Sequence, residues 1–239
     1  MLSHKLQLLI NRVPKTIFLS HVIFKAIKKI FNPYLISSFS QFGEDRFLDN
    51  YFGNKEQGFY VEVGCNHPIA YSNTWKLYLR GWQGITIDAN PELIKTFKKI
   101  RPKDISLAKV VSDENKIVKF FFSEKSTLIS GVDAKLEGNK RTEENSKVVE
   151  IKAEKLEEIL NDNQCPEKID FLCIDVEGEE LNILNSLNIT RYRPRLILVE
   201  IHKFDILQAN VNPIYTFLSS HDYKLVGYLS PNAFFVSKS

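Results

Sequence analysis

From Ser40 onward, short apolar runs alternate with stretches of helical periodicity. Runs such as GFYVEVG (58–64), GITID (84–88) and IDFLCID (169–175) are typical of buried strands. Strands that alternate with helices form a mostly parallel sheet with helices on both faces, because each crossover returns the chain to the same edge. The sequence therefore predicts an α/β fold, and its 239 residues can bury a sizeable core.

The individual elements follow from the same patterns. Strands are predicted at 58–64, 84–88, 105–111, 117–122, 148–153, 169–175 and 194–201, with a β pair at the end of the chain. Helices are predicted at 72–80, 91–100, 154–160, 179–187 and 213–219. The polar segment 123–147 is rich in charged residues and contains two glycines, so we expect a mobile loop or lid there.

The N-terminal segment, residues 1–39, is expected to be a separate helical appendage to a main domain at 40–239. It carries six of the 32 basic residues and no acidic residue, which leaves the main domain with 26 basic and 29 acidic residues. Residues 16–31 predict a helix with lysines on one face and apolar residues on the other. Such a helix packs against the main domain or a partner, or lies on an anionic membrane surface. It is too short and too rich in lysine to span a bilayer.

The three cysteines, Cys65, Cys165 and Cys173, form no C-x-x-C pair and show no zinc spacing. An odd number of cysteines also argues against a disulfide framework. Residues 16–31 lack the small-residue cleavage site of a signal peptide. We therefore expect a cytoplasmic protein, with peripheral contact to the inner face of a membrane as an option for residues 1–39.

Polar residues follow three successive predicted strands, at the sheet edge where ligands bind in such folds. Glu62 and Gly64 end the first strand, Asp88 ends the second, and Ser112 with Asp113 follows the third. Together they suit an adenosine ligand that carries a positive charge and no phosphates. Taken singly, each also fits an ordinary turn or helix cap. The G-x-G-x-x-G loop of nicotinamide-dependent oxidoreductases is absent, which disfavours that class of enzyme.

A further polar cluster follows the later strands. Asp175 and Glu177 come after 169–174, and Glu200 and His202 end the next predicted strand on one face of it. These groups could act as a general base, or they could bind a hard divalent cation. Alternatively, Glu177 favours the start of the following helix by its charge, and His202 is an ordinary polar residue at a strand end.

Several strings of the sequence resemble the FkbM family of S-adenosylmethionine-dependent methyltransferases. In chain order they are SQFGED (40–45), VEVGCNHP (61–68), YSNT (71–74), GWQGITIDANPE (81–92), VVSD (110–113), IDFLCIDVEGEE (169–180) and RPRLILVE (193–200). The resemblance implies a Rossmann-like class I methyltransferase fold with a seven-stranded sheet. It also implies methyl transfer to oxygen, often to a sugar hydroxyl of a polyketide, glycolipid or surface polysaccharide.

The resemblance also implies roles for individual residues. The cofactor-binding residues it implies are Glu62, Gly64, Asn66, Ser72, Asn73, Asp88, Ala89, Ser112, Asp113 and Asp175. Within this set, Ser72 and Asn73 would meet the methionine carboxylate, Asp88 the ribose, and Ser112 with Asp113 the adenine. We take Asp175, Glu200 and His202 as the catalytic residues that deprotonate the acceptor hydroxyl. If a divalent ion such as Mg²⁺ assists instead, the same three side chains are its expected ligands.

The expected partner is a small-molecule or glycan acceptor, and residues 1–39 are the expected contact with a membrane or a second subunit. Nucleic acid is not expected, because the main domain is acidic and the positive charge is confined to one appendage. Three alternatives stay open at this stage. They are a non-catalytic nucleotide- or membrane-binding module, a metal-assisted methyltransferase with another small acceptor, and a methyltransferase acting on nitrogen or RNA.

Overall fold

The computed structural model describes residues 38–123, 130–132 and 146–238. The predicted appendage 1–39 lies outside this part of the chain except for its last two residues, and so does most of the predicted lid 123–147. Across the described ranges, no helix has the length and the apolar character that crossing a bilayer requires.

Strands and helices alternate along most of the described chain. The strands are β1 Phe59–Val63, β2 Gln83–Asp88, β3 Ile105–Ala108, β4 Val110–Val111, β5 Lys116–Ser123, β6 Ser130–Val132, β7 Ser146–Glu154, β8 Phe171–Ile174, β9 Leu196–Glu200, β10 Tyr223–Leu229 and β11 Asn232–Ser237. The helices are α1 Glu44–Phe52, α2 Trp75–Arg80, α3 Pro91–Ile100, α4 Leu156–Asp162, α5 Glu180–Asn185, α6 Ile189–Tyr192 and α7 Pro213–Ser220, with a 3₁₀ segment at Ile206–Val211.

Seven strands form the main sheet, in the order β10-β11-β9-β8-β1-β2-β3. Strands β3, β2, β1, β8 and β9 are parallel to their neighbours, whereas β11 runs antiparallel to both β9 and β10. The order reverses between β1 and β8, because the chain first builds outward to β3 and then returns to the other side of β1. The prediction of a Rossmann-like, mostly parallel seven-stranded sheet is confirmed.

Alternating side chains of the central strands supply two cores, one on each face of the sheet. In β1, Tyr60 packs into one core and Val61 into the other. In β8, Phe171 and Leu172 divide in the same way. All four side chains are fully buried, and burial of one such side chain contributes about 1.5–3 kcal/mol. A strand buried on both faces explains why these segments read as continuous apolar runs.

The helix α3 has the bounds that the sequence predicts, since both its start and its register are encoded locally. The Asn90 side chain accepts a hydrogen bond from the backbone N–H of Glu92, and Pro91 occupies the first helical position, where no N–H is needed. Ile94 and Phe97, three residues apart, are the buried residues of this helix.

A second sheet of four strands, in the order β4-β7-β5-β6, was not predicted. The prediction of one strand over 105–111 is wrong, because the chain leaves the main sheet at Lys109. The Lys109 N–H still donates to the Asp88 carbonyl (3.0 Å), but the Ser112 N–H donates to the Glu154 carbonyl at the end of β7 (3.0 Å). The two apolar halves of this run therefore belong to different sheets. The short strand β6 also falls inside the predicted lid.

Candidate active site

A cavity of about 610 Å³ opens at the carboxyl ends of the parallel strands, where the strand order reverses. Residues that end or follow four adjacent strands line it: Gly64 after β1, Asp88 at the end of β2, Asp175 after β8 and Glu200 at the end of β9. This is the position at which open α/β sheets bind their ligands. The structure thus brings together residues that the sequence places far apart.

Gly64 forms the turn at the centre of the cavity floor. Its φ of +81° is a left-handed conformation, and a Cβ built there would lie 1.7 Å from the backbone oxygen of Asp175. Hydrogen bonds hold this close approach on both sides, from the Gly64 N–H to the Ile87 carbonyl (2.9 Å) and from the Asp175 N–H to the Val63 carbonyl (3.0 Å). Only glycine fits, so the residue is required first of all by the contact between β1 and β8.

Asp88 is the acid of the second strand end, and backbone groups fix the position of its carboxylate. Its Oδ2 accepts from the Asn66 N–H (2.9 Å) and its Oδ1 from the Asn90 N–H (2.8 Å). Burial raises the pKa of Asp88 to about 6, against the lowering effect of these two hydrogen bonds. Each oxygen keeps a second lone pair, so a pair of ribose hydroxyls can donate to this carboxylate.

Glu62 lines the same cavity, but protein groups already engage its carboxylate. Its Oε2 accepts from the Thr74 hydroxyl (2.6 Å) and lies 3.8 Å from Nη1 of Arg101. Burial raises the pKa of Glu62 to about 7, although the Arg101 charge opposes this shift. Arg101 is fully buried and lies between Glu62 and Asp104, with 3.6 Å from Nη1 to Asp104 Oδ2. Glu62 therefore belongs to a buried network beneath the cavity floor.

The predicted pair Ser72 and Asn73 divides between this network and the cavity. The Ser72 hydroxyl accepts from Nη2 of Arg101 (2.6 Å) and from the Trp75 N–H (3.1 Å), and it does not line the cavity. Asn73 does line it, is 93% buried, and leaves its Oδ1 without a hydrogen-bond partner. The helix also starts at Trp75, three residues later than predicted. The geometry supports a ligand contact for Asn73 and a structural role for Ser72.

Ser112 and Asp113, which are predicted to contact adenine, are not among the residues that line the cavity. The Ser112 hydroxyl donates to Asp113 Oδ1 (3.1 Å), beside the second sheet. The preceding pair, Val110 and Val111, lines the cavity instead, together with Ala89. The predicted strand is divided at Lys109, and this division changes which residues line the cavity. An apolar wall of this kind suits the flat face of a base.

An acidic wall lies on the opposite side of β1 and consists of Asp175, Glu177, Glu200 and His202, all of which line the cavity. Nε2 of His202 is 3.2 Å from Oε2 of Glu200 and 3.8 Å from Oε2 of Glu177. The Glu200 side chain is only 8% exposed, whereas that of His202 is 58% exposed. A half-exposed imidazole therefore lies beside a buried carboxyl group.

The acidic wall carries more negative charge than its surroundings balance. Burial raises the pKa of Glu200, and the neighbouring Asp175 and Glu177 raise it further. Burial and the charges of Glu177 and Glu180 also raise the pKa of Asp175. Because Asp175 and Glu200 are neighbours, the charge of each carboxylate disfavours ionisation of the other. This arrangement favours a cationic ligand and a group that accepts a proton.

Among the described residues, Lys109 is the one lysine or arginine that lines the cavity. Its ammonium group pairs with Glu154 at 2.6 Å. The cavity is therefore electronegative. Several lining residues were not predicted as site residues: Gln41, Phe42, Tyr71, Lys109, Val110, Val111, Phe120, Glu179 and Asn232. Asn232 lies directly opposite Glu200 across β11 and β9. Its pairing could not be found from sequence, since the two residues are 32 positions apart.

A Rossmann-like sheet with an electronegative cavity at its reversal point suits a nucleoside ligand that bears positive charge. The Methyltransferase FkbM domain family model matches residues 62–225, more than half of the chain. The chain therefore belongs to the FkbM methyltransferase family, and it is an S-adenosylmethionine-dependent methyltransferase.

A comparison with curated proteins gives no match. Among solved structures, the chain is similar to a TehB-like SAM-dependent methyltransferase from Corynebacterium glutamicum ATCC 13032, with 12% sequence identity and a TM-score of 0.41. The alignment covers 92% of this chain and 99% of the other. This likeness is too distant to inform the function.

Proposed function

We propose that the protein transfers a methyl group to a hydroxyl oxygen of a sugar, in a glycan, a glycolipid or a surface polysaccharide. The observation that carries the proposal is the acidic wall, where Oε2 of Glu200 lies 3.2 Å from Nε2 of His202 and Asp175 lines the same cavity. A neutral hydroxyl is a weak nucleophile, so methyl transfer to its oxygen needs a nearby proton acceptor. This wall supplies one in the cavity that also contains Asp88 and Gly64.

The residues of the cavity fit S-adenosylmethionine as the cofactor. Asp88 would hold the ribose hydroxyls, and Val110 and Val111 would contact the adenine. The unpartnered Oδ1 of Asn73 suits the α-ammonium group, because a buried acceptor without a donor is unfavourable. When bound, the cofactor supplies an electrophilic methyl group on a positively charged sulfur.

The role of the acidic wall is to accept and hold the hydroxyl proton. Nε2 of His202 is the accessible basic atom, and Oε2 of Glu200 beside it stabilises the imidazolium that forms. Asp175 lines the same cavity and is the alternative proton acceptor. Groups that act in this way typically contribute about 10²–10⁴-fold to the rate.

Two exposed aromatic side chains on the rim support a sugar as the acceptor. Phe42 is 49% exposed and Tyr71 is 58% exposed, and both line the cavity. Their loops are joined by a hydrogen bond from the Ser72 N–H to the Phe39 carbonyl (3.1 Å). Aromatic faces bind the apolar C–H faces of sugar rings while the hydroxyls stay hydrated.

Isothermal titration with S-adenosylmethionine and S-adenosylhomocysteine tests the cofactor, with NAD as the comparison ligand. We expect micromolar binding of both sulfur nucleotides and none of NAD. Asp88→Ala should weaken binding at least tenfold, whereas the matched control Asp113→Ala should change it less than twofold, since Asp113 does not line the cavity. Folded wild-type protein that binds neither sulfur nucleotide would contradict the proposal.

Methyl transfer to sugars tests the acceptor. Incubation with labelled S-adenosylmethionine and a panel of mono- and oligosaccharides should transfer label to a hydroxyl, as located by mass spectrometry. The double variant Phe42→Ala, Tyr71→Ala should raise KM for the sugar about tenfold with little change in kcat, because the rim only binds. Transfer to nitrogen or to RNA, with no sugar methylated, would overturn the sugar assignment. Cofactor retention without transfer to any acceptor would favour a non-catalytic module.

A further inference from the structure

Three side chains of the acidic wall offer ligand atoms that converge on one point. The atoms belong to Glu177, Glu200 and His202, and they all lie within 4.8 Å of one another. Glu177 projects from the loop after β8, whereas Glu200 and His202 come from the end of β9. We propose that this cluster binds one divalent cation of the Mg²⁺ or Mn²⁺ type.

A second observation points to a missing cationic partner. Oε2 of Glu200 is buried and has no hydrogen-bond partner, although His202 Nε2 is near it. Asn232 is 4% exposed, pairs with Glu200 in the β9–β11 register, and leaves its own Oδ1 unpartnered. Its amide nitrogen is already used, because it donates to Glu44 Oε1 (2.6 Å). Two residues that line the cavity therefore each hold a buried acceptor oxygen without a partner, which costs free energy unless a ligand binds it.

The chemistry of the donors selects the class of ion. The two carboxylates of the cluster are hard oxygen ligands, which Mg²⁺ and Mn²⁺ prefer, and the single imidazole favours Mn²⁺ over Mg²⁺. The set contains no thiolate: Cys65 lines the cavity but lies outside the cluster, and Cys173 is buried in the core. The uncompensated charge of the acidic wall further favours a dication. We therefore take Mn²⁺ as the probe.

Cation binding is a property of the folded protein and does not depend on the reaction. Its consequence for catalysis rests on the proposed function: with the ion bound, His202 would be a ligand and no longer the base, Asp175 would accept the proton, and the ion would lower the pKa of a hydroxyl that coordinates it. The sequence predicts Asp175 as the third ligand, but the cluster contains Glu177 in its place. Glu177 lies in the loop after β8 and has a φ of +58°.

Two neighbouring glutamates give a matched pair of variants. Glu177→Gln removes one ligand oxygen charge from an exposed side chain, so the fold should be unaffected. Glu179→Gln is the control, since Glu179 lines the same cavity but lies outside the cluster and accepts a hydrogen bond from Asn182 (2.7 Å). His202→Ala is the second test variant. Thermal unfolding of all three checks that each is folded.

Electron paramagnetic resonance of Mn²⁺ titrated into metal-free protein measures binding directly, without turnover. We expect one saturable site, displaced by excess Mg²⁺, with affinity lowered at least tenfold in Glu177→Gln and in His202→Ala and less than twofold in Glu179→Gln. No saturable site, or a site that Glu177→Gln and His202→Ala leave unchanged, would overturn the proposal.

Titration of S-adenosylmethionine into the same samples separates the two proposals. Cofactor binding without any Mn²⁺ site would reject the cation site and leave the methyltransferase function standing. Mn²⁺ binding at the wall without cofactor binding would support the cation site and reject the proposed function.

Discussion

Two groups of carboxylates lie in or beside strand β1, and their surroundings differ. In one group, Glu62 of β1 and Asp104 surround the buried guanidinium of Arg101. Its donors also reach the Pro68 carbonyl and the hydroxyls of Ser72 and Thr74. In the other group, Asp175, Glu177 and Glu200 have no arginine or lysine partner in the described ion pairs, and Oε2 of Glu200 lacks a hydrogen-bond partner.

The difference separates polar groups that stabilise the fold from polar groups that serve a ligand. In the arginine network, removal of any member leaves a buried charge or donor unpaired. In the acidic wall, the charges repel each other before any ligand arrives, so this wall reduces the stability of the free protein. Active sites commonly carry such a cost. The following changes test this contrast.

The largest effect is expected where the two regions meet, at Gly64. Gly64→Ala places a methyl group 1.7 Å from the Asp175 carbonyl and should lower the free energy of unfolding by about 5 kcal/mol, or prevent folding. Gly178→Ala is the control: its φ is +111°, but a Cβ there meets nothing within 4 Å. It should cost only the backbone strain, about 1 kcal/mol. Urea denaturation gives both values, and equal costs would show that the close approach does not matter.

Removal of the central cation should cost nearly as much. Arg101→Met leaves Glu62 and Asp104 buried without their partner, so we expect a loss of about 4 kcal/mol in the free energy of unfolding. The control is Arg195→Met, because Arg195 is 59% exposed and lies 3.6 Å from Asp170. Its loss should stay below about 1 kcal/mol. Similar urea midpoints for the two variants would refute the assignment of Arg101 as the structural centre.

The pH dependence of stability should reveal Glu62. Its pKa is about 7 in the folded protein, above the ordinary value of 4.5, so the folded state binds more protons than the unfolded state between these values. The free energy of unfolding should therefore fall as the pH rises through that window, by up to about 3 kcal/mol from this group. Denaturation of Glu62→Gln across pH 4.5–8 should give a flatter profile. An unchanged slope would mean that Glu62 is ionised throughout.

The smallest change in the free energy of unfolding is expected in the acidic wall. Unlike the changes above, a substitution there should not lower this free energy. Asp175→Asn removes mutual repulsion, so the free energy of unfolding should stay constant or rise by about 1 kcal/mol. Turnover should nevertheless fall about 100-fold, at the low end for such groups because Glu200 and His202 remain. Steady-state kinetics with cofactor titration measure this. A loss of stability without loss of turnover would place Asp175 with the arginine network.

The sequence encodes most of the main sheet locally. Asn90 and Pro91 mark the start of α3, and apolar runs mark β1, β2, β8 and β9, so the residues after these strands could be placed at one edge. Which sheet a strand joins is a tertiary matter, and Lys109 divides one apolar run between two sheets. For the same reason, the cavity contacts expected of Ser112 and Asp113 belong to Val110 and Val111.

The orientation of a polar side chain also escapes the sequence. The Ser72 hydroxyl bonds to Arg101, which is 29 residues away along the chain. Neither the residue type nor the position before a helix reveals this contact with the arginine network. The neighbouring Asn73 faces the cavity. Asn232 and Glu44 likewise meet only through the fold, at 2.6 Å.

Among the described residues, those of the second sheet that line the cavity lie at its Asp88 end. Val110 of β4 and Phe120 of β5 pack into a small core with Ala89, while the acidic wall lies on the far side of β1. The two ends can therefore diverge separately during evolution. In a directed-evolution library, randomising this sheet would alter which nucleoside analogues the enzyme accepts, and randomising the rim at Phe42 and Tyr71 would alter which acceptor it methylates.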